Sequence, residues 1–437
     1  MNKVLWTPTP ERVEASTMAA FERFLRDKRG LTFADYNEMW DWSVTDLDGF
    51  WSAIWEFFNV EASAPFTTVM AKRQMPGAEW CPGAMLNFTD QIMKHVDRQP
   101  DGDALIVQSE TFGRKRLTWA QLRGQVSSVA AHLRDMGVAK GDRVVAVLPN
   151  TETAMIAFLA TASIGAIWSL CAPDMGHVAI LDRFKQIEPK VLIAQDGYVH
   201  AGKTVDRREI LAGLEAELPS LVKCITVPFV GELPKGHVAW DTLLDREVAY
   251  ESVQVPFDHP LWIVYSSGTT GNPKPIVHGH GGIILESAKQ SLHHDFKPGG
   301  RYCWLTSSGW IMWNSQFTAL GQGTTVAMFD GAPNYPDMGV IWRFVADEKL
   351  DFFGAGAAFF SGCMKAGVTP REQVDLSALK SLGSTGSPLS SDAYDWIYKD
   401  VKKDVWLAPI SGGTDLAGAF VLGHPGMPVR AGEMQCR

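Results

Sequence analysis

The chain has 437 residues and a formal net charge of −9, with 46% hydrophobic and 20% charged residues, a balance that builds a large core and excludes a disordered or fibrous chain. No long run of Lys or Arg supplies the footprint of a nucleic-acid binder, so no nucleic-acid partner is expected. Six cysteines (Cys81, Cys171, Cys224, Cys303, Cys363, Cys436) form no C-x-x-C pair and fit neither a disulfide framework nor a zinc site, which points to a reducing cytoplasm.

Residues 1–100 are rich in Trp and Phe (Trp40, Trp42, Phe50, Trp51, Trp55, Phe57, Phe58) and read as amphipathic helices joined by Pro/Gly-rich loops, an N-terminal helical cap. The first residues lack the charged region and apolar stretch of a secretory signal. Residues 101–437 read as the core. From Leu117 onward short apolar runs alternate with helix-period segments, the signature of βαβ units around a parallel sheet in an α/β fold. Strands are expected at 143–149, 166–171, 190–194, 224–228, 261–267, 302–308, 324–329, 351–356, 379–384 and 405–410. Helices are expected at 151–160, 178–187, 282–292, 339–350 and 392–401. The uncharged stretch 153–172 has the length of a membrane span, about 20 residues. Gly165 divides it into an Ala-rich helix and a β-rich run, as in a buried helix and strand, so no membrane span is expected.

In open parallel sheets ligands bind beyond the carboxyl ends of the strands. After L-W-I-V-Y comes Ser266-Ser267-Gly268-Thr269-Thr270-Gly271-Asn272-Pro273-Lys274-Pro275. Its glycines let the backbone approach a polyphosphate, its N–H groups and hydroxyls donate to phosphate oxygens, and Lys274 adds positive charge. It matches neither G-x-x-x-x-G-K-[ST] nor G-x-G-x-x-G, so a different nucleotide fold is implied. His278 and His280 have H-x-H spacing but no further ligands and read as loop residues. His293 and His294 read as a helix end, where an imidazolium suits the helix dipole.

The S-S-G-T-T-G-N-P-K-P loop resembles the phosphate loop of the adenylate-forming superfamily: acyl-CoA synthetases, peptide-synthetase adenylation domains and luciferases. That likeness implies layered, parallel-rich sheets with flanking helices, ATP as co-substrate, and contacts to its phosphates from Ser266, Ser267, Gly268, Thr269, Thr270, Gly271 and Lys274. Gly383-Ser384-Thr385-Gly386-Ser387-Pro388 is similar to the family's adenine loop, giving Gly386, Ser387 and Pro388 that role. Ser411-Gly412-Gly413-Thr414-Asp415 is similar to the next block, with Thr414 on the α-phosphate and Asp415 attracting Mg²⁺. An acid beside a phosphate site suits Mg²⁺ on chemical grounds as well. The segment with Trp310, Ile311 and Met312 resembles the acyl-pocket wall, to which Thr385 and Gly412 also belong. Phe329-Asp330-Gly331-Ala332-Pro333-Asn334 is similar to a stretch whose Asn faces coenzyme A. Lys203 matches a basic residue for the CoA 3′-phosphate, although His200 stands where Arg is expected.

Acetate-activating members place Trp at the position of Gly412, and the missing wall implies a larger acid. The flanking segments L-W-T-P-T-P-E-R, W-D-W-S-V-T-D and G-W-I-M-W-N resemble the acetoacetate-activating branch over essentially the whole chain. The implied substrates are acetoacetate, ATP and CoA, with propionate or butyrate as the alternative acid. The family continues with a ribose-binding Asp, a hinge and a Lys-bearing mobile domain that cannot be placed before Arg437. The sequence therefore reads as an ATP-binding lobe that binds ligands without full turnover, or as a catalytically silent nucleotide-binding module.

Overall fold

The computed structural model describes residues 3–266 and 271–437. Each apolar run read as a strand forms one, although the run at 302–308 stops at Trp304. They divide between two seven-stranded sheets of the same design. The first runs Val238–Ala239, Lys223–Val227, Val191–Gln195, Arg143–Val147, Ile167–Cys171, Pro260–Ser266, Lys274–Gly279, parallel throughout except for its last, antiparallel edge. The second runs Trp406–Pro409, Ser381–Thr385, Phe352–Gly356, Arg301–Trp304, Thr325–Asp330, Asp103–Ser109, Gly113–Thr118, and its last strand is again antiparallel.

Alternation along each strand serves two cores at once. Leu105 and Val107 face a central core between the sheets while Ile106 faces outward, and Val144 and Ala146 face inward while Val145 and Val147 face outward. Helices Trp119–Asp135, Glu152–Ser163, His280–His294 and Ile311–Leu320 supply that central core. Every residue of Glu152–Ser163 is buried, and its one charged side chain, Glu152 at the first position, pairs with Lys115 at 2.9 Å; no described helix is long and apolar enough to cross a membrane.

The chain opens with helices Pro10–Glu14, Thr17–Arg29, Tyr36–Thr45 and Leu47–Phe57, and two of them pack on His280–His294. Their aromatic residues form one cluster, with Phe21 and Phe57 at 5.2 Å between ring centroids. Loops with short strands follow to Leu86, and short helical segments at Asp90–Met93 and Val96–Arg98 lead into the second sheet. Val4–Trp6 pairs with Val429–Arg430, tying the N-terminal segment to the far end of the chain.

Two expectations about histidines change. His278 lies in the Lys274–Gly279 strand and His280 opens a helix, so neither is a loop residue. His293 and His294 do end that helix, but burial pushes them down to about 3 and about 4, so they sit there as neutral imidazoles.

Candidate active site

Loops from both sheets converge on a cavity of about 560 Å³. The loop after Ser381–Thr385 contributes Thr385, Gly386, Ser387 and Pro388. Gly386 holds φ at +86°, a region costly for residues with a Cβ, and the Trp310 indole lies 3.7 Å from where that Cβ would stand. The Thr385 hydroxyl donates to the Ile410 carbonyl at 2.9 Å, joining this loop to the next one. Ser384 is buried and its hydroxyl has no partner among the described residues. At the same end Tyr394, Gly432 and Met434 line the wall, with the Tyr394 hydroxyl donating to the Glu433 carbonyl at 2.8 Å. These last three were not anticipated, because no motif marks them.

Ser411, Gly412, Gly413 and Thr414 line the middle of the cavity on a hairpin whose strands are Ser411–Gly413 and Gly418–Val421. Asp415, at the turn, does not line it. Its exposed carboxylate makes no hydrogen bond or ion pair among the described residues, while its backbone carbonyl accepts from His278 Nε2 at 2.9 Å. His278 Nδ1 in turn accepts from the Trp262 indole at 3.0 Å. This bridge fixes the neutral tautomer and anchors the Thr414-Asp415 turn to the first sheet, in agreement with the burial that lowers the His278 pKa. Sequence reasoning missed that positioning role; the fixed interval from strand to H-x-H was the available signal.

Trp310, Ile311 and Met312 line another wall of the cavity. Helices His280–His294 and Ile311–Leu320 add polar side chains on their inner faces: Ser287 and Gln290 from one, Asn314, Ser315 and Thr318 from the other. These were also missed. The reading of Gly412 needs correction. It lines the cavity, but a Cβ there would stand 2.1 Å from the Gly418 carbonyl oxygen, so the side-chain direction is filled by the neighbouring strand and is not open pocket. Gly412→Ala is accordingly expected to shift the hairpin and cost about 1–3 kcal/mol of stability. Thermal denaturation with and without AMP checks this, and an unchanged midpoint and AMP stabilisation would refute it.

The residues on either side of the expected phosphate loop belong to paired antiparallel strands. Ser266 and Lys274 face each other in register, Gly271 has φ +156°, and the Pro273 carbonyl accepts from Gln186 at 2.9 Å. Ser266, Gly271 and Lys274 do not line the cavity. Ser267, Gly268, Thr269 and Thr270 lie outside the described residues. Asn334 and Lys203 are exposed and also apart from the cavity, on two loops tied together by Glu110. That carboxylate accepts from the Gly202 N–H at 2.8 Å and from the Ala332 N–H at 2.5 Å.

No charged, histidine or cysteine side chain is among the described residues lining the cavity. Burial pushes the Cys81, Cys171 and Cys224 thiols up to about 12, so these stay protonated and unreactive. Among the described residues, one group could hold a metal by proximity, Glu215, Cys224 and His237, and none of the three lines the cavity.

The model for AMP-binding enzymes matches residues 92–428, and that for the acetyl-coenzyme A synthetase N-terminus matches residues 36–92. The acetoacetyl-coenzyme A synthetase of Rhizobium meliloti (strain 1021) is 40% identical over 441 residues, covering 99% of this chain and 67% of its own length. The acetoacetyl-CoA synthetase of Gallus gallus is 36% identical, with 100% and 67% covered. The solved acetoacetyl-CoA synthetase from Streptomyces lividans superposes with a TM-score of 0.96 at 43% identity, covering 99% of this chain and 68% of that one. With most of its length matched and its two-sheet frame reproduced, this chain belongs to the family of AMP-binding enzymes.

Proposed function

We propose that the chain activates acetoacetate with ATP and transfers the acyl group to coenzyme A. A carboxylate oxygen of acetoacetate attacks the α-phosphorus, the bond to the β-phosphate oxygen breaks, and pyrophosphate leaves. The CoA sulfur then attacks the acyl carbon and AMP leaves. Acetoacetyl-CoA synthetases match this chain end to end. The observation that carries the reading is one cavity joining the Gly386 loop, the Thr414 turn and a pocket with both apolar and hydrogen-bonding walls.

The substrates bring their own nucleophiles, a carboxylate and a thiol, so the protein acts by positioning and by stabilising charge. In this reading Gly386, Ser387 and Pro388 hold adenine, Thr414 donates to the α-phosphate, and Trp310, Ile311, Met312 and Thr385 enclose the acyl group. Ser411, Gly412 and Gly413 pass close to the nucleotide. Ser266, Ser267, Gly268, Thr269, Thr270, Gly271 and Lys274 meet the β- and γ-phosphates. Asn334 and Lys203, on the loops joined by Glu110, serve CoA. The unpaired Asp415 carboxylate fits Mg²⁺ arriving with ATP; the ion, when bound, offsets phosphate charge. A cytoplasmic location agrees with six free cysteines.

Exchange of labelled pyrophosphate into ATP tests the reading. Exchange is expected with acetoacetate and weaker with acetate or butyrate. Equal exchange with butyrate overturns the choice of acid, and exchange that ignores added acid overturns the ligase assignment.

A further inference from the structure

Asn314 is 8% exposed and makes no hydrogen bond among the described residues. A buried amide carries two donors and an acceptor, and leaving them unpaired is costly unless a ligand completes them. The side chain lines the main cavity and also a small cavity of about 90 Å³, and Trp310, Ile311 and Thr414 border both. It therefore shares its surroundings with the Thr414 turn, where the acid's carboxylate meets phosphate, and belongs with the first few carbons of the acyl chain.

Polar side chains beside it on the two helices are already engaged. The Ser315 hydroxyl donates to the Met312 carbonyl at 2.8 Å, Gln290 Nε2 donates to Glu286 at 3.1 Å, and Ser287 accepts from Thr318 at 3.4 Å. Of the two amide side chains lining the cavity, Asn314 is the one without a hydrogen bond among the described residues. An acid of four carbons with a purely aliphatic chain gives it nothing to bond. An acid with an oxygen on its third carbon does.

Resting on the acetoacetate reading above, we propose that Asn314 is the specificity residue for the 3-oxo group, its side-chain N–H donating to the C3 oxygen. Size alone separates acetoacetate from butyrate poorly, whereas a buried donor rejects the chain that leaves it unpaired.

The test uses calorimetric titration with two unreactive mimics of the acyl-adenylate, the 3-oxobutyl and butyl esters of AMP. The wild-type protein is expected to bind the 3-oxobutyl ester about tenfold more tightly, the scale of one well-placed hydrogen bond. Asn314→Leu, similar in size, is expected to lose that preference while binding the butyl ester at least as well as wild type. Asn314→Asp, similar in shape but accepting only, is expected to prefer the butyl ester. Binding of AMP alone reports an intact fold, and if Asn314→Leu fails it, Asn314→Asp carries the test. A tenfold preference that survives in the substituted proteins overturns the role of Asn314 and leaves the acid assignment standing. Absence of the preference in the wild type overturns the acid assignment itself.

Discussion

Lowering the pH from 7.5 to 5 is expected to unfold this protein cooperatively. Burial, the largest cause in each case, holds His95, His294 and His424 at about 4 and His280 and His293 at about 3. The geometry agrees: Nδ1 of His280 accepts from the Phe88 N–H and Nδ1 of His424 from the Gly426 N–H, both at 3.0 Å. An imidazolium would turn each contact into two donors face to face. These folded-state values lie below the unfolded value, so the stability they contribute is present above pH ~6.5 and is lost as pH falls toward the folded-state values. Each such group costs about 1.4 kcal/mol per pH unit, so five cost about 7 kcal/mol at pH ~5.5, comparable to the whole stability of an ordinary domain. Buried carboxyls act in the opposite sense, because burial raises Asp330 to about 6 and also raises Asp351 and Glu22, so their contribution grows as pH falls, but they are fewer than the five histidines. Calorimetry across this range measures the effect; a melting temperature flat from pH 7.5 to 5 would contradict it.

Asp415→Ala is expected to lower acetoacetate-dependent pyrophosphate exchange by about 10²–10³, the scale of removing one preorganised electrostatic group from a transition state. The residue is exposed and unpaired among the described residues, so melting temperature should barely change. AMP affinity should hold as well, because the adenine loop is separate. His278→Ala should act through the same turn with a smaller loss, about tenfold, because the carboxylate remains while its backbone anchor is gone. Exchange within about threefold of wild type for Asp415→Ala would remove Asp415 from the catalytic set.

The parallel frame was legible in the sequence because strands buried on both faces, such as Arg143–Val147 and Val191–Gln195, read as unbroken apolar runs. The antiparallel edges were not. Gly113–Thr118 is mostly charged and exposed, and Lys274–Gly279 was absorbed into the phosphate loop that precedes it. Glycine- and hydroxyl-rich loops marked one side of the cavity in the sequence, since backbone approach to phosphate restricts composition. Ser287, Gln290 and Asn314 gave no such signal. Isolated polar residues on otherwise apolar helices acquire meaning once two helices bring their inner faces to one cavity. Gly412 illustrates the opposite error: an absent side chain was read as space, yet the adjoining strand had moved into it.

The Lys274–Gly279 strand has one further consequence. It borders its sheet, and a border strand offers unpaired backbone groups to any other chain with a free edge. Here the strand begins with Lys274 and Pro275, one charged and the other without an N–H to donate, while Val277 is 53% exposed a few residues on. The P-K-P segment thus also makes this border a poor template for intermolecular pairing.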